Sequence, residues 1–222
     1  MLGGTGWAGG AVLAAFFVSS TLVSRLAPPP ADLDPKGDRR DPRQVAANGA
    51  VAAVLALAGR YDPGLGLWLV TGTLAAAAAD TWATSVGALS RTAPHSIAGG
   101  RPVPPGTSGG VTPLGSLGAA GGAALVGAAA VASGGPAALL PAATLVGFLG
   151  MAADSLLGAT LQARFHCAAC NRASEWPVHR CGAATIHRGG LPWLDNDTVN
   201  FAATGLAAGL SLALWAWRCP CA

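Results

Sequence analysis

The sequence predicts an all-α integral membrane protein: one domain, residues 1–222, built as a bundle of about six transmembrane helices. Charged residues make up only 10% of the chain, whereas a soluble domain carries roughly 25%. The mean hydropathy is +0.48. Glycine is abundant, but it lies within apolar Ala, Leu and Val runs rather than in low-complexity segments. Together these features indicate that lipid is the solvent for most of the chain.

Six apolar segments approach the roughly 20 residues that a helix needs to cross a bilayer. They are residues 7–26, 44–59, 65–86, 111–133, 136–161 and 199–217. The second is short, and Asp154 interrupts the fifth. No Lys or Arg opens the N-terminus as it would in a secretory signal, so the first segment is predicted to be a retained helix.

Three G-x-x-x-G pairs favour close helix packing, because glycine lets two backbones approach each other. They are Gly6/Gly10, Gly118/Gly122 and Gly205/Gly209. Such spacings also arise by chance in a chain rich in Ala and Gly, so each pair is a weak indication.

The basic residues predict the orientation of the bundle. All except Arg60 and Arg218 lie in three long segments, residues 25–43, 90–110 and 164–196. With six spans these segments share one face, which the positive-inside rule makes cytoplasmic, with both termini outside a bacterial plasma membrane. The net charge of +3 does not indicate a nucleic-acid partner.

A glycine-rich loop at residues 104–116 predicts a phosphate site. It contains consecutive small and hydroxyl-bearing residues, namely Gly106, Thr107, Ser108, Gly109 and Gly110. Such turns direct backbone N–H groups at one anion, and the N-terminus of a following helix adds positive potential. That helix is predicted to begin at about Val111.

Three predicted helices carry an Asp on a polar stripe near the face that bears this loop. The stripes are Asp80, Thr84 and Gly87; Asp154, Gly158 and Gln162; and Asp197, Asn200 and Thr204. Carboxylate and amide oxygens suit Mg²⁺ that also binds substrate phosphates. Helix pairing or an ion path would use intramembrane carboxylates as well. The loop favours phosphate chemistry, because ion transport needs no phosphate cradle.

Polar residues near the other predicted helix starts extend this site. Asp195 or Asn196 is predicted to cap the sixth helix. Gln44 and Asn48 share a face of the second helix. The Pro-rich segment before that helix carries basic residues, Arg39, Arg40 and Arg43, which either belong to a solvated linker or meet phosphates.

The segment between the last two helices has the residues for a zinc site. Cys167 and Cys170 form a C-x-x-C pair, Cys181 follows, and the fourth ligand is one of His179, His187 and His166. Structural zinc takes four such ligands. Reduced thiols without metal and redox chemistry remain open alternatives. Cys219 and Cys221 are given no role.

Five blocks of sequence occur in an order that resembles a known membrane family. They are GDRRDPRQVAANG, ADTWATSVGALS, RPVPPGTSGGVTPLGSLGA, ADSLLGATLQARF and GLPWLDNDTVNFAAT. They resemble the family that includes plant phytyl-phosphate kinase and the transmembrane protein 19 group. The cysteine-rich segment departs from the plant pattern.

The resemblance implies a membrane kinase that transfers the terminal phosphoryl group of CTP to a phytyl or polyprenyl monophosphate. Residues Gly106 to Gly110 would then bind the nucleotide phosphates, with Arg101 and Arg43 offsetting charge. Asp80, Asp154 and Asp197 would hold Mg²⁺. The residues expected to orient substrate or metal are Asn48, Thr84, Gln162, Asp195, Asn196 and Asn200.

Other functions remain open at this stage. A transporter of ions or small solutes, a cytidylyltransferase that makes a CDP-lipid, and a non-catalytic scaffold each fit part of the pattern. A second copy of the chain is a further candidate partner.

Overall fold

The computed structural model describes residues 2–27 and 42–218. Within these ranges the chain forms six α-helices, as predicted. They are α1 Leu2–Leu26, α2 Pro42–Leu55, α3 Pro63–Gly87, α4 Pro113–Ala132, α5 Leu139–Thr160 and α6 Asn196–Arg218. A 3-10 helix, Ala56–Arg60, continues α2 directly.

Four of the described helices, α1, α4, α5 and α6, are long and apolar enough to cross a membrane. Helix α2 has 14 residues, about 21 Å at 1.5 Å per residue, which is short of a bilayer core of about 30 Å. Helix α3 has 25 residues, but Thr, Ser, Gly and Asp make it less apolar. The predicted segments 44–59 and 65–86 are therefore helical but do not qualify as spans by length and apolarity.

Helix α3 is the centre of the bundle, which explains its composition. It contacts α1, α2, α4, α5 and α6, and 15 of its residues are buried. Small side chains such as those of Ala75–Ala79 let neighbouring helices approach closely, and dispersion contacts between them stabilise the bundle.

One of the three G-x-x-x-G pairs mediates such a contact. A Cβ atom on Gly118 would lie 2.8 Å from Val86 Cβ, and one on Gly122 would lie 2.7 Å from Trp82 Cγ. These glycines therefore allow α4 to pack on α3. A Cβ atom on Gly205 or Gly209 would have no neighbouring atom within 4 Å, so these two glycines make no such contact within the described part of the chain.

The outer surface of the bundle has the chemistry of a lipid-facing surface. Large apolar side chains such as Phe17, Leu117 and Phe201 are more than half exposed. Aromatic residues mark one end, where Tyr61 is 94% exposed and Trp217 is 82% exposed. Such residues are enriched at membrane–water interfaces.

The two ends of the bundle differ. The end with the aromatic residues has the short connections, and Gly64 there lies beside Trp215. At the opposite end, named here the loop end, Gly87 at the end of α3 meets Thr112 before α4. The long segments 90–110 and 164–196 both emerge at the loop end, as predicted. That this end is cytoplasmic stays a prediction.

Both long segments contain β-structure that the sequence did not predict. In the first, β1 His95–Ser96 pairs antiparallel with β2 Gly110–Val111. In the second, β3 Arg164–Cys167 lies between β4 Arg172–Ser174 and β5 Ile186–Gly189, with both pairings antiparallel.

Some of the predicted helix starts need correction, and capping residues set two of them, those of α4 and α6. Helix α4 begins at Pro113 rather than Val111, since the Thr112 hydroxyl accepts a hydrogen bond from the Gly115 N–H. Helix α5 begins later than predicted, at Leu139, and α6 begins earlier. In α1 the backbone of Gly6 is not helical (φ 58°, ψ −155°), so the continuous helix begins after it, at the predicted Trp7.

Candidate functional site

Two carboxyl groups meet inside the loop end of the bundle. Asp80, on α3, and Asp154, on α5, are half-buried and line the same cavity. Oδ2 of Asp154 is buried and has no hydrogen-bond partner. Adjacent carboxylates away from water repel each other strongly unless a proton or a cation lies between them.

A narrow cavity adjoins this pair. It has a volume of about 10 Å³, roughly the space for one water molecule or one ion. Besides the two Asp residues, its polar lining comes from Asn48 on α2 and from Asn200 and Thr204 on α6. These oxygen donors, together with the unpartnered Oδ2 of Asp154, fit a hard cation such as Mg²⁺.

The glycine-rich loop docks on α5 one turn beyond Asp154. Gly109 has a φ of +75°, and a Cβ atom there would collide with both Ala159 Cβ and the Ser155 carbonyl oxygen. Only glycine fits this backbone conformation and this close approach. On the α5 side, Gly158 leaves room for Ser108 and Gly109.

The donors of this loop are arranged differently from the predicted cradle. The amides of Thr107 and Gly110 close turns inside the loop by donating to the carbonyls of Pro104 and Thr107. Ser108 instead donates to a carboxylate: its N–H lies 3.3 Å and its hydroxyl 2.5 Å from Glu175 Oε1. The loop therefore binds an anionic group, but through one residue.

Glu175 is a site residue that sequence reasoning missed. Its second oxygen accepts a hydrogen bond from Gln162 Nε2 at 3.0 Å, and its charge acts on Asp154. A lone Glu in a hydrophilic segment has no distinguishing pattern.

A second acidic group lies at the start of α6. Asp195 caps the helix, because its Oδ1 accepts from the Thr198 N–H at 2.9 Å and hydroxyl at 2.7 Å. Its Oδ2 lies 3.3 Å from Arg43 Nη2. Asp197 is buried, and its Oδ2 lies 4.0 Å from Arg43 Nε. Arg43 thus pairs with these two aspartates.

The remaining predicted residues are more scattered. Thr84 is on an exposed face of α3 and does not line the cavity. Arg101 is exposed in the turn between β1 and β2. Asn196 is the first residue of α6 and half-buried. Arg39 and Arg40 lie outside the described residues.

The Cys/His segment brings four ligand-type residues together. The sulfur atoms of Cys167, Cys170 and Cys181 and a ring nitrogen of His179 all lie within 4.8 Å of one another. Of the three candidate histidines the structure thus selects His179. The His187 ring instead packs edge-on against Phe165.

The same contacts shift the acidity of two thiols. A hydrogen bond with His179, supplemented by one with the Ala183 backbone, lowers the pKa of Cys181 to about 6. The hydrogen bond from Cys170 to the Cys181 sulfur is the main cause that raises the pKa of Cys170 to about 11. One sulfur of the cluster is thus readily present as a thiolate. Cys219 and Cys221 lie outside the described residues.

Comparison with known proteins now adds to these contacts. Residues 1–208 match the family described as integral membrane protein DUF92. The chain belongs to this family. It is 30% identical over 233 aligned positions to Protein PGR of Arabidopsis thaliana, covering 91% of this chain and 80% of that protein. It is also 29% identical to an uncharacterized membrane protein of Synechocystis sp., over 94% of this chain and 74% of that protein.

No solved structure matches the chain. Family membership and the four apolar helices make this an integral membrane protein, as predicted. The names of the relatives do not state a reaction, so the activity expected from the sequence stays a prediction.

Proposed function

We propose that this protein is a membrane-embedded phosphotransferase that uses CTP to convert an isoprenyl monophosphate into the diphosphate. The observation that carries the proposal is the half-buried Asp80–Asp154 pair, beside a loop whose Ser108 donates two hydrogen bonds to the Glu175 carboxylate. A carboxylate pair suits Mg²⁺, and phosphate oxygens from a nucleotide would complete its coordination.

Phosphoryl transfer mainly requires positioning and neutralisation of charge. An oxygen of the acceptor monophosphate attacks the γ-phosphorus of CTP; the bond between that phosphorus and the β,γ-bridging oxygen breaks, and CDP leaves. The acceptor is already anionic, so its attack needs no strong general base.

The described residues have separate tasks in this proposal. Asp80 and Asp154 would hold Mg²⁺, which would supply neutralisation of phosphate charge. Ser108 donates its N–H and hydroxyl to a phosphate oxygen in place of Glu175. Asn48 and Asn200, which line the cavity of ion size, orient the metal.

The membrane supplies the second substrate. An isoprenyl tail is soluble in the bilayer, and the exposed apolar side chains of the bundle provide a surface for it. Its phosphate would then lie at the loop end, where the carboxylates are. Arg43, which is exposed and already pairs with Asp195, is positioned to attract the anionic headgroup.

The test is a transfer assay in proteoliposomes with CTP labelled at the γ-phosphate and phytyl monophosphate as acceptor. The proposal expects Mg²⁺-dependent labelling of the lipid together with release of CDP. Release of pyrophosphate and formation of a CDP-lipid would instead identify a cytidylyltransferase. If the folded protein forms neither product, both activities are refuted.

Ion transport is the second candidate, because the carboxylate pair lies between apolar helices beside a cavity of ion size. It predicts cation flux into liposomes without nucleotide. Flux that disappears in Asp154→Asn, with no labelled lipid from the wild-type protein, would favour transport over phosphotransfer.

A further inference from the structure

The segment between α5 and α6 contains a compact cluster of three cysteines and one histidine that the phosphotransfer proposal does not use. Cys167 ends β3 and Cys170 lies in the turn before β4. His179 and Cys181 lie in a second turn, where the His179 N–H donates to the Ala183 carbonyl and the Gly182 N–H to the His179 carbonyl. Two tight turns therefore present their side chains to one point.

The distances between the ligand atoms fit a tetrahedral metal ion. Cys167 Sγ and Cys181 Sγ are 3.7 Å apart, and Zn–S bonds of about 2.3 Å at the tetrahedral angle place two sulfurs about 3.8 Å apart. His179 Nδ1 lies 3.2 Å from Cys181 Sγ. A disulfide would need sulfurs at about 2.05 Å, so the cluster is not arranged as a disulfide.

The backbone beside the cysteines supports the same conclusion. Asn171, directly after Cys170, has a φ of 52°, and Gly182, directly after Cys181, has a φ of 84°. Each of these residues directly follows a cysteine, and its left-handed backbone conformation turns the chain sharply beside the sulfur atom. Asn171 is the only non-glycine residue with positive φ in the described part of the chain. Since Asn and Gly tolerate this conformation better than other residues, both positions suit the turns that the cluster needs.

We propose that Cys167, Cys170, His179 and Cys181 bind one structural Zn²⁺ that fixes this segment to the glycine-rich loop. Four N and S ligands with no open position are typical of structural rather than catalytic zinc. The site goes beyond the proposed phosphotransfer and does not depend on it.

The zinc site would fix the position of Glu175 relative to the glycine-rich loop. This residue lies between the two ligand turns, five positions after Cys170 and four before His179, and its carboxylate binds Ser108 and Gln162. A metal that ties the two turns together therefore holds Glu175 against the loop. Without the metal, the sheet of three- and four-residue strands has little else to order it.

The first test measures zinc in the full-length protein carrying Cys219→Ser and Cys221→Ser, which remove the remaining thiols. The protein is purified in detergent and its metal content determined by mass spectrometry. The proposal expects one zinc per chain, loss of zinc in Cys167→Ser, and retention in His187→Ala, the matched histidine outside the cluster. Zinc at blank level, or equal loss in His187→Ala, would overturn it.

A second variant covers the case in which Cys167→Ser fails to fold. His179→Cys replaces one ligand by another and should keep one zinc, whereas His179→Ala should bind it more weakly. With Co²⁺ as the probe, the wild-type protein should show sulfur-to-cobalt charge-transfer absorption and the visible bands of tetrahedral cobalt. Octahedral cobalt spectra would contradict the site.

The link to the loop is tested by hydrogen exchange of zinc-loaded and chelator-treated protein. Removal of zinc should speed exchange both in residues 164–189 and in residues 104–110, with no change in α4. Exchange in residues 104–110 that does not respond to zinc would overturn the proposed link to the glycine-rich loop.

Discussion

The two acidic groups at the loop end differ in whether a positive charge compensates them. Asp195 and Asp197 lie at the start of α6, where one carboxylate caps the helix and both face Arg43. Asp80 and Asp154 lie farther inside, between α3 and α5. Within the described residues no Lys or Arg pairs with them, and their nearest charged neighbours are each other and Glu175.

This difference distinguishes the carboxylates that stabilise the start of α6 from the pair to which we assign a function. Ionised groups inside a bilayer cost several kcal/mol even on lenient scales. At the start of α6 the helix dipole and an arginine offset that cost. The half-buried pair, Asp80 and Asp154, has no such compensation in the described part of the chain. We infer that it is retained for a cation that binds with the substrate.

The largest expected effect is that of Asp154→Asn. The substitution removes a proposed metal ligand. Metal stabilisation of phosphoryl transfer is worth several kcal/mol, so turnover should fall by about 100-fold or more. Thermal stability should be unchanged or higher, because one buried charge disappears. The transfer assay and a melting curve check this. Asp62→Asn, at the cap of α3 on the opposite end, is the matched control and should keep its turnover.

Next is Gly109→Val, which tests whether the loop must dock on α5. The new side chain would collide with Ala159 and strain a φ of +75°, costing about 1–3 kcal/mol. Nucleotide-dependent stabilisation should disappear as well. Gly99→Ala, in the same segment with no atom closer than 3.9 Å, should melt as the wild type does; a similar loss in both variants would contradict the docking role.

Glu175→Gln should have a smaller effect on stability, about 1 kcal/mol. It keeps the shape of the side chain but replaces charge-assisted hydrogen bonds to Ser108 by neutral ones. Chemical denaturation in mixed micelles would measure the change. Glu175→Ala, which loses both contacts, should cost more; equal stability of the two variants would show that these hydrogen bonds contribute nothing.

The smallest effects on stability are expected for substitutions in the group of Asp195, Asp197 and Arg43. Asp195→Ala should cost about 1 kcal/mol through loss of the cap, whereas Asp195→Asn should keep most of it. Arg43→Gln should cost less than about 1 kcal/mol, because the side chain of this arginine is 70% exposed. Thermal melts of the three variants check the order, and an Asn variant as unstable as the Ala variant would contradict the capping role.

Much of this fold could be predicted because helices that contact lipid must be rich in apolar residues. Long apolar segments and clustered arginines indicated the six helices and the shared end of the long segments. Whether α3 qualifies as a membrane span was harder to predict, because its small and polar residues reflect packing against other helices rather than contact with lipid. The two small sheets are held by pairings of two to four residues, too short for a periodic pattern.

The site was predictable where spacing along one helix carried it. Asp195 does cap α6, and Gly158 does leave room for the loop. Gln162 is not on the predicted helical stripe, because α5 ends at Thr160, and it reaches the site through its hydrogen bond to Glu175. Thr84 was placed on the stripe of Asp80 by spacing alone, but it lies one turn nearer the end of α3, where it is exposed. Glu175 could not be found, because its role arises from contacts across 67 residues of sequence with Ser108.

The measurement that tests the central claim most directly is the thermal shift of purified protein in detergent with CTP, with and without Mg²⁺, in wild type and Asp154→Asn. A ligand at about 100 times its dissociation constant stabilises the folded state by about 2.7 kcal/mol. The account predicts a shift that requires both CTP and Mg²⁺ and is lost in Asp154→Asn. An equal shift in the variant, or none with millimolar CTP and Mg²⁺ in the wild type, would contradict a metal-nucleotide site at the Asp80–Asp154 pair.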